Sequence, residues 1–169
     1  MITISRAFEG APYKPDALSA VVDFGLICVD NPKMKQWLFR TFTYLPAKIV
    51  DELENKCCFL AQDSNGGSQI PKELTKDKEI LLFSDRMLDD RAPLEILYTI
   101  AHECAHAILG HRSQLLDGMS EEETIEQELN ADKLACAWTG ITTTKNVDRA
   151  PKHGFAYEFE VIDGPDLCQ

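Results

Sequence analysis

The stretch at residues 94–111, LEILYTIAHECAHAILGH, constrains this chain more than any other. It contains His102-Glu103-Cys104-Ala105-His106, an H-E-x-x-H signature inside a helical pattern of apolar residues. On an α-helix, residues four apart lie about 40° apart around the axis and one turn along it. Two imidazoles so placed can meet at one point. Zinc, held at about 2.0–2.1 Å from each ring nitrogen, suits that geometry. Glu103 projects about 100° round from His102. That direction takes it away from the ion but within reach of a water beside it. Two metal ligands and one general base on a single helix is the arrangement that hydrolyses peptide bonds with zinc.

A second helical pattern follows at residues 121–138. Ser120 with Glu123 makes an N-cap and capping-box pair, and Gly140 stops the run. With Ile125 at the zero of the helical wheel, Leu129 and Cys136 lie within about 40° of it. Ala131, Ala135 and Trp138 extend the apolar arc. Glu128 and Asp132 fall inside the same arc and share a face. Carboxylates on a core-facing stripe are costly unless compensated. A metal ion and a histidine N–H would compensate both. Glu128 is then the third ligand, and Asp132 accepts from the far nitrogen of one ligating histidine and fixes its ring. The alternative is that both acids reach solvent at the helix edge.

H-E-x-x-H followed downstream by E-x-x-x-D resembles the gluzincin metallopeptidases. The strings HECAHAILGH and ELNADKLACAW are most similar to the ImmA/IrrE-type peptidases. The E-x-x-A-D form is also similar to the HtpX-type peptidases, which carry membrane helices; no apolar run here approaches the ~18 residues of a span. Many ImmA/IrrE relatives have Asn where this chain has Asp132. The resemblance covers about residues 80–140. It implies a minimal zincin-like domain and zinc-dependent hydrolysis of peptide bonds, often in a regulator in a stress or phage setting.

Rival ligands fit less well. A metzincin pattern needs Gly at 109 and His at 112, where this chain has Leu109 and Arg112. His111 would point about 180° from His102 if the helix continued, so a capping or exposed role is expected. His153, Tyr98 and Tyr157 are candidates to stabilise an oxyanion, weighed against surface or packing roles. Cys104 and Cys136 lie on the two site helices and are expected as small core residues rather than soft ligands.

The remaining chain is read around this site. Its 169 residues suit a single domain with a core at about 33–140, flanked by poorly defined N- and C-terminal extensions. A helix is expected over 17–29, helices at 33–42 and 47–56, a strand at 57–62 and a loop at 63–68. The clearest strand is 78–84, KEILLFS, expected beside the zinc helix with edge amides offered to an extended peptide. Asp89 or Asp90 is expected to cap the H-E-x-x-H helix, and residues 155–162 to form a strand after a polar stretch from Ile141. The fold class is α+β, mostly helical with a small sheet beside the H-E-x-x-H helix.

The net charge of −11 argues against a nonspecific grip on nucleic acid. It serves solubility or steers a basic partner. The start MITISRAFEGAPYK lacks a basic segment followed by an apolar core, so a cytoplasmic location is expected. The six cysteines do not form a disulfide framework, and free buried thiols are expected. The functional expectation is a zinc metallopeptidase acting on a protein or peptide. The alternative is a non-catalytic acidic binding or inhibitor module, of anti-restriction or antitoxin type, that keeps the scaffold.

Overall fold

Turn chemistry sets the first elements. The computed structural model describes residues 27–28, 31–62, 68–70, 78–112, 119–145 and 157–161. A two-residue strand, β1 (Ile27–Cys28), comes first. The helix expected over 17–29 therefore ends as strand, and its other residues lie outside the described ones. Asn31 then caps α1 (Pro32–Phe42), its side chain accepting from the N–H groups of Lys33 at 3.0 Å and Met34 at 3.4 Å. Pro32 occupies the first turn, where a missing N–H costs nothing. Pro46 opens α2 (Ala47–Lys56), which buries Ile49, Val50 and Leu53 at 3–4 spacing.

The chain passes directly from α2 into β2 (Cys57–Gln62), followed by β3 (Ser68–Ile70) and β4 (Glu79–Ser84). The sheet order is β1-β2-β4-β3. β1, β2 and β4 run parallel, and β3 pairs antiparallel with β4. The register sets Phe59 against Leu81 and Ala61 against Phe83, so one face of the sheet presents a continuous apolar surface. Phe59 stacks on Phe83 and takes the edge of Phe42 from α1, with ring centroids 6.3 and 5.3 Å apart.

Two sequence expectations for this sheet are corrected. Ser68 is not loop but the start of a strand. Residues 78–84 do form the expected strand, yet β4 is internal, because β3 covers its far side at residues 80–82. Among the described strands the outer edge next to the site helix belongs to β3.

A one-turn helix, α3 (Met87–Asp90), precedes α4 (Pro93–Leu109). Asp89 and Asp90 lie inside α3, so they do not cap α4; Ala92 does, without a side-chain bond, and Pro93 follows. α4 is the central helix and buries ten residues, from Ile96 to Leu109. It packs against α5 (Glu121–Thr139), α1, α2, β4 and β3. The chain then forms β5 (Ile141–Lys145), antiparallel to β6 (Tyr157–Val161). β6 matches the strand expected at 155–162, whereas β5 corrects the reading of a polar tail. No described helix is long and apolar enough to cross a membrane.

α5 buries Ala131, Leu134, Ala135, Cys136 and Trp138, but Ile125 and Leu129 are 52% and 54% exposed. The wheel centred on Ile125 was therefore turned the wrong way. The buried stripe centres on Ala131, and Glu128 and Asp132 lie about 60° and 100° to one side of it. Both angles fall between those of Ala135 and Cys136, so the two acids lie within the span of the buried residues, yet they keep 45% and 31% of their side chains exposed where the helix meets α4. Cys57 and Cys104 are buried free thiols as expected, while Cys136 is disulfide-bonded. That bond corrects the expectation of free thiols throughout.

The capping box at the start of α5 is complete: Ser120 Oγ accepts from Glu123 N at 3.1 Å, and Glu123 Oε2 accepts from Ser120 N at 2.8 Å. These bonds hold the Glu123 carboxyl below its ordinary pKa. A depressed carboxyl stabilises the fold above its unfolded pKa, and that share is lost as pH falls through the folded value. Ser120→Ala should cost about 1 kcal/mol in urea unfolding at neutral pH. Glu123→Gln should flatten this part of the acid-side decline in stability; an acid limb identical to wild type would remove Glu123 from the cap.

Candidate metal centre

The i, i+4 spacing on α4 brings the two histidines together. His102 Nε2 and His106 Nε2 face each other at 2.9 Å, with the rings inclined at 67°. From α5, Glu128 Oε2 lies 3.3 Å from His102 Nε2, and Oε1 lies 3.6 Å from His106 Nε2. For a tetrahedral ion with donors at about 2.0–2.1 Å, neighbouring donor atoms are about 3.3–3.4 Å apart. The carboxylate–imidazole distances match that edge and the imidazole pair is slightly closer. His102, His106 and Glu128 thus lie close enough to bind a metal ion.

The electrostatics point the same way. Burial pulls the His102 pKa down, but Asp132 and Glu128 outweigh it and raise the value to about 10. The two histidines hold Glu128 well below the usual carboxylate range, His102 contributing most. The cluster therefore demands positive charge, which a proton on His102 supplies in the absence of an ion. A divalent cation meets that demand, and two imidazoles with one carboxylate are borderline donors that suit it.

Asp132 stands behind His102. Its Oδ1 is 2.9 Å from His102 Nδ1 and accepts from the Tyr98 hydroxyl at 2.5 Å. His102 Nδ1 is buried and close to this oxygen but makes no aligned hydrogen bond to it. Burial acts against ionisation of Asp132, yet His102 and the Tyr98 hydroxyl keep its pKa depressed. Tyr98 is itself buried. It was a candidate oxyanion stabiliser; its hydroxyl is committed to Asp132 instead, and the repeat of four along Tyr98, His102 and His106 was the signal for that.

Glu103 lies within electrostatic reach of both histidines and Glu128. Desolvation raises its pKa, and the histidines offset only part of that rise. A carboxylate with a raised pKa is a better proton acceptor than a solvated one.

Other sequence candidates fall elsewhere. Cys104 is fully buried with its thiol pushed well above the normal range, and Cys136 is disulfide-bonded, so neither serves as a ligand. His153 lies outside the described residues, and of Tyr157 the structure describes only its backbone place at the start of β6. His111 is neither an outward residue nor part of the three-donor set. Its Nδ1 is 2.9 Å from His106 Nδ1. Burial and the neighbouring His106 lower its pKa to about 4.

Equilibrium dialysis with quantification of bound divalent metal checks this assignment. Wild type should retain metal, and His102→Ala and Glu128→Ala should lose it. Asp132→Asn should weaken binding about 10- to 100-fold, because it removes only the support of a ligand. Full affinity in Glu128→Ala would strike Glu128 from the ligand set. Comparison with known proteins finds no matching family model, curated protein or solved structure.

Proposed function

We propose that this protein is a zinc metallopeptidase of gluzincin type, similar to the ImmA/IrrE peptidases, acting on a protein or peptide substrate. One observation carries the reading: three donors converge from two helices, with the partly buried Glu103 beside them on the same turn. In this reading His102, His106 and Glu128 hold the ion. Bound there, zinc would polarise the scissile carbonyl and make a water more acidic.

The protein's own groups perform the proton transfers. Glu103 takes the proton of the attacking water as its oxygen bonds to the carbonyl carbon. It then hands that proton to the amide nitrogen, and the C–N bond breaks with loss of an amine. Glu103 ends as it began, as a carboxylate. Asp132, itself held by the Tyr98 hydroxyl, lies 2.9 Å behind His102 Nδ1 and would steady that ring once the hydrogen bond aligns.

A substrate in extended form has a place to lie. Among the described strands β3 is the terminal one of its sheet, and it packs on α4. A peptide adding to its outer side would be held by backbone hydrogen bonds, which select little sequence by themselves. This assigns to β3 the task that the sequence suggested for residues 78–84.

Glu103→Gln tests the assignment. It should bind zinc like wild type and lose cleavage, because an amide takes up no proton at neutral pH. Sequencing of new protein termini after incubation with a lysate reads the result. Cleavage at the wild-type rate would exclude Glu103 as the base. A zinc-loaded wild type that generates no new termini would leave the non-catalytic binding module as the better reading.

A further inference from the structure

His111 is the one histidine among the described residues that the reaction above does not use. It lies just past α4, and the helix stops because Gly110 takes a left-handed conformation, φ 68 and ψ 38. That reversal closes two backbone hydrogen bonds. Gly110 N donates to Ala107 O at 3.2 Å, and His111 N donates to His106 O at 3.0 Å. A Cβ at position 110 would meet nothing within 4 Å, so glycine is needed for its conformation and not for space. The turned-back chain returns the His111 ring to the last turn of the helix. There its Nδ1 meets His106 Nδ1 at 2.9 Å, with ring centroids 4.8 Å apart and planes at 74°.

We propose that His111 is a positioning residue: its Nδ1 accepts from His106 Nδ1–H, which fixes the tautomer and rotation of His106 and leaves the His106 Nε2 lone pair aimed at the metal position. The proposal rests on the metal-binding half of the reading above and not on peptide hydrolysis. Two ring nitrogens at hydrogen-bond distance share one proton. A ligating Nε2 must be unprotonated, so that proton belongs to His106 Nδ1, and His111 carries its own on Nε2. The contact continues into the site, since His106 Nε2 faces His102 Nε2 at 2.9 Å and His102 Nδ1 faces Asp132. The two histidines are thus backed by different groups, a carboxylate behind His102 and an imidazole behind His106.

Two nearly isosteric variants separate hydrogen bonding from packing. In His111→Asn the amide oxygen takes the place of Nδ1 and can still accept. In His111→Leu the same space is filled without an acceptor. Zinc affinity, measured by competition with a chromophoric chelator, should fall about 10- to 100-fold in His111→Leu and be largely restored in His111→Asn. Equal affinity in the two variants would overturn the proposal. A second readout needs neither metal nor variant. In metal-free wild type, long-range nitrogen–proton NMR should show His106 protonated at Nδ1 and His111 at Nε2. His106 protonated at Nε2 alone would overturn the proposal even if His111→Leu failed to fold. A protein that binds zinc but cuts nothing loses the peptidase reading and keeps this one.

Discussion

Everything in this structure turns on the seam between α4 and α5, where titratable side chains are held in one partly buried space. Both helices bury alanines, Ala101 and Ala105 on one and Ala131 and Ala135 on the other. Small residues let helices pack closely, so side chains at the border of the seam reach across it. Burying such groups singly would be costly. Here each partner lowers the cost of the next. Glu128 faces both imidazoles, Asp132 faces His102, and the Tyr98 hydroxyl donates to Asp132.

That mutual support is asymmetric in charge. Glu128 is strongly acidified and Asp132 stays depressed, while His102 is driven to hold a proton. The surplus of carboxylate charge around the two imidazoles is what makes the cluster a candidate place for a cation. Glu103 moves the other way, because desolvation weighs more on it than its neighbours' charge. Two carboxylates face the histidines and are acidified while a third beside them is kept basic, and desolvation together with partner identity sets that division.

Local chemistry was legible in the chain where it is short-range. The H-E-x-x-H spacing, the cap at Ser120, the stop at Gly110 and the strand at 57–62 each depend on residues within a few positions of one another. Glu128 and Asp132 were also legible, although for a reason that needed correction. They share the angular span of the buried residues but are not desolvated as core side chains would be, since Glu128 is 45% and Asp132 31% exposed. Periodicity locates a helix face only to within the width of its apolar arc, and exposed Ile125 and Leu129 widened that arc misleadingly.

The sequence by itself determined which residues could share a helix face, and so which side chains were candidates for a metal cluster. Helical geometry repeats every turn, and no tertiary contact is needed to place His102 above His106. Asp132 behind one histidine was legible too, but tertiary structure decided that this histidine is His102 and brought Tyr98 and His111 into the cluster. Tyr98 is assigned to Asp132 only once α5 lies against α4. β3 becomes the sheet edge only once it pairs with β4 across an interval that no local pattern spans. His111 lies between these cases: the glycine before it signals a reversal, but only the folded turn shows that the reversal ends on the ring of His106.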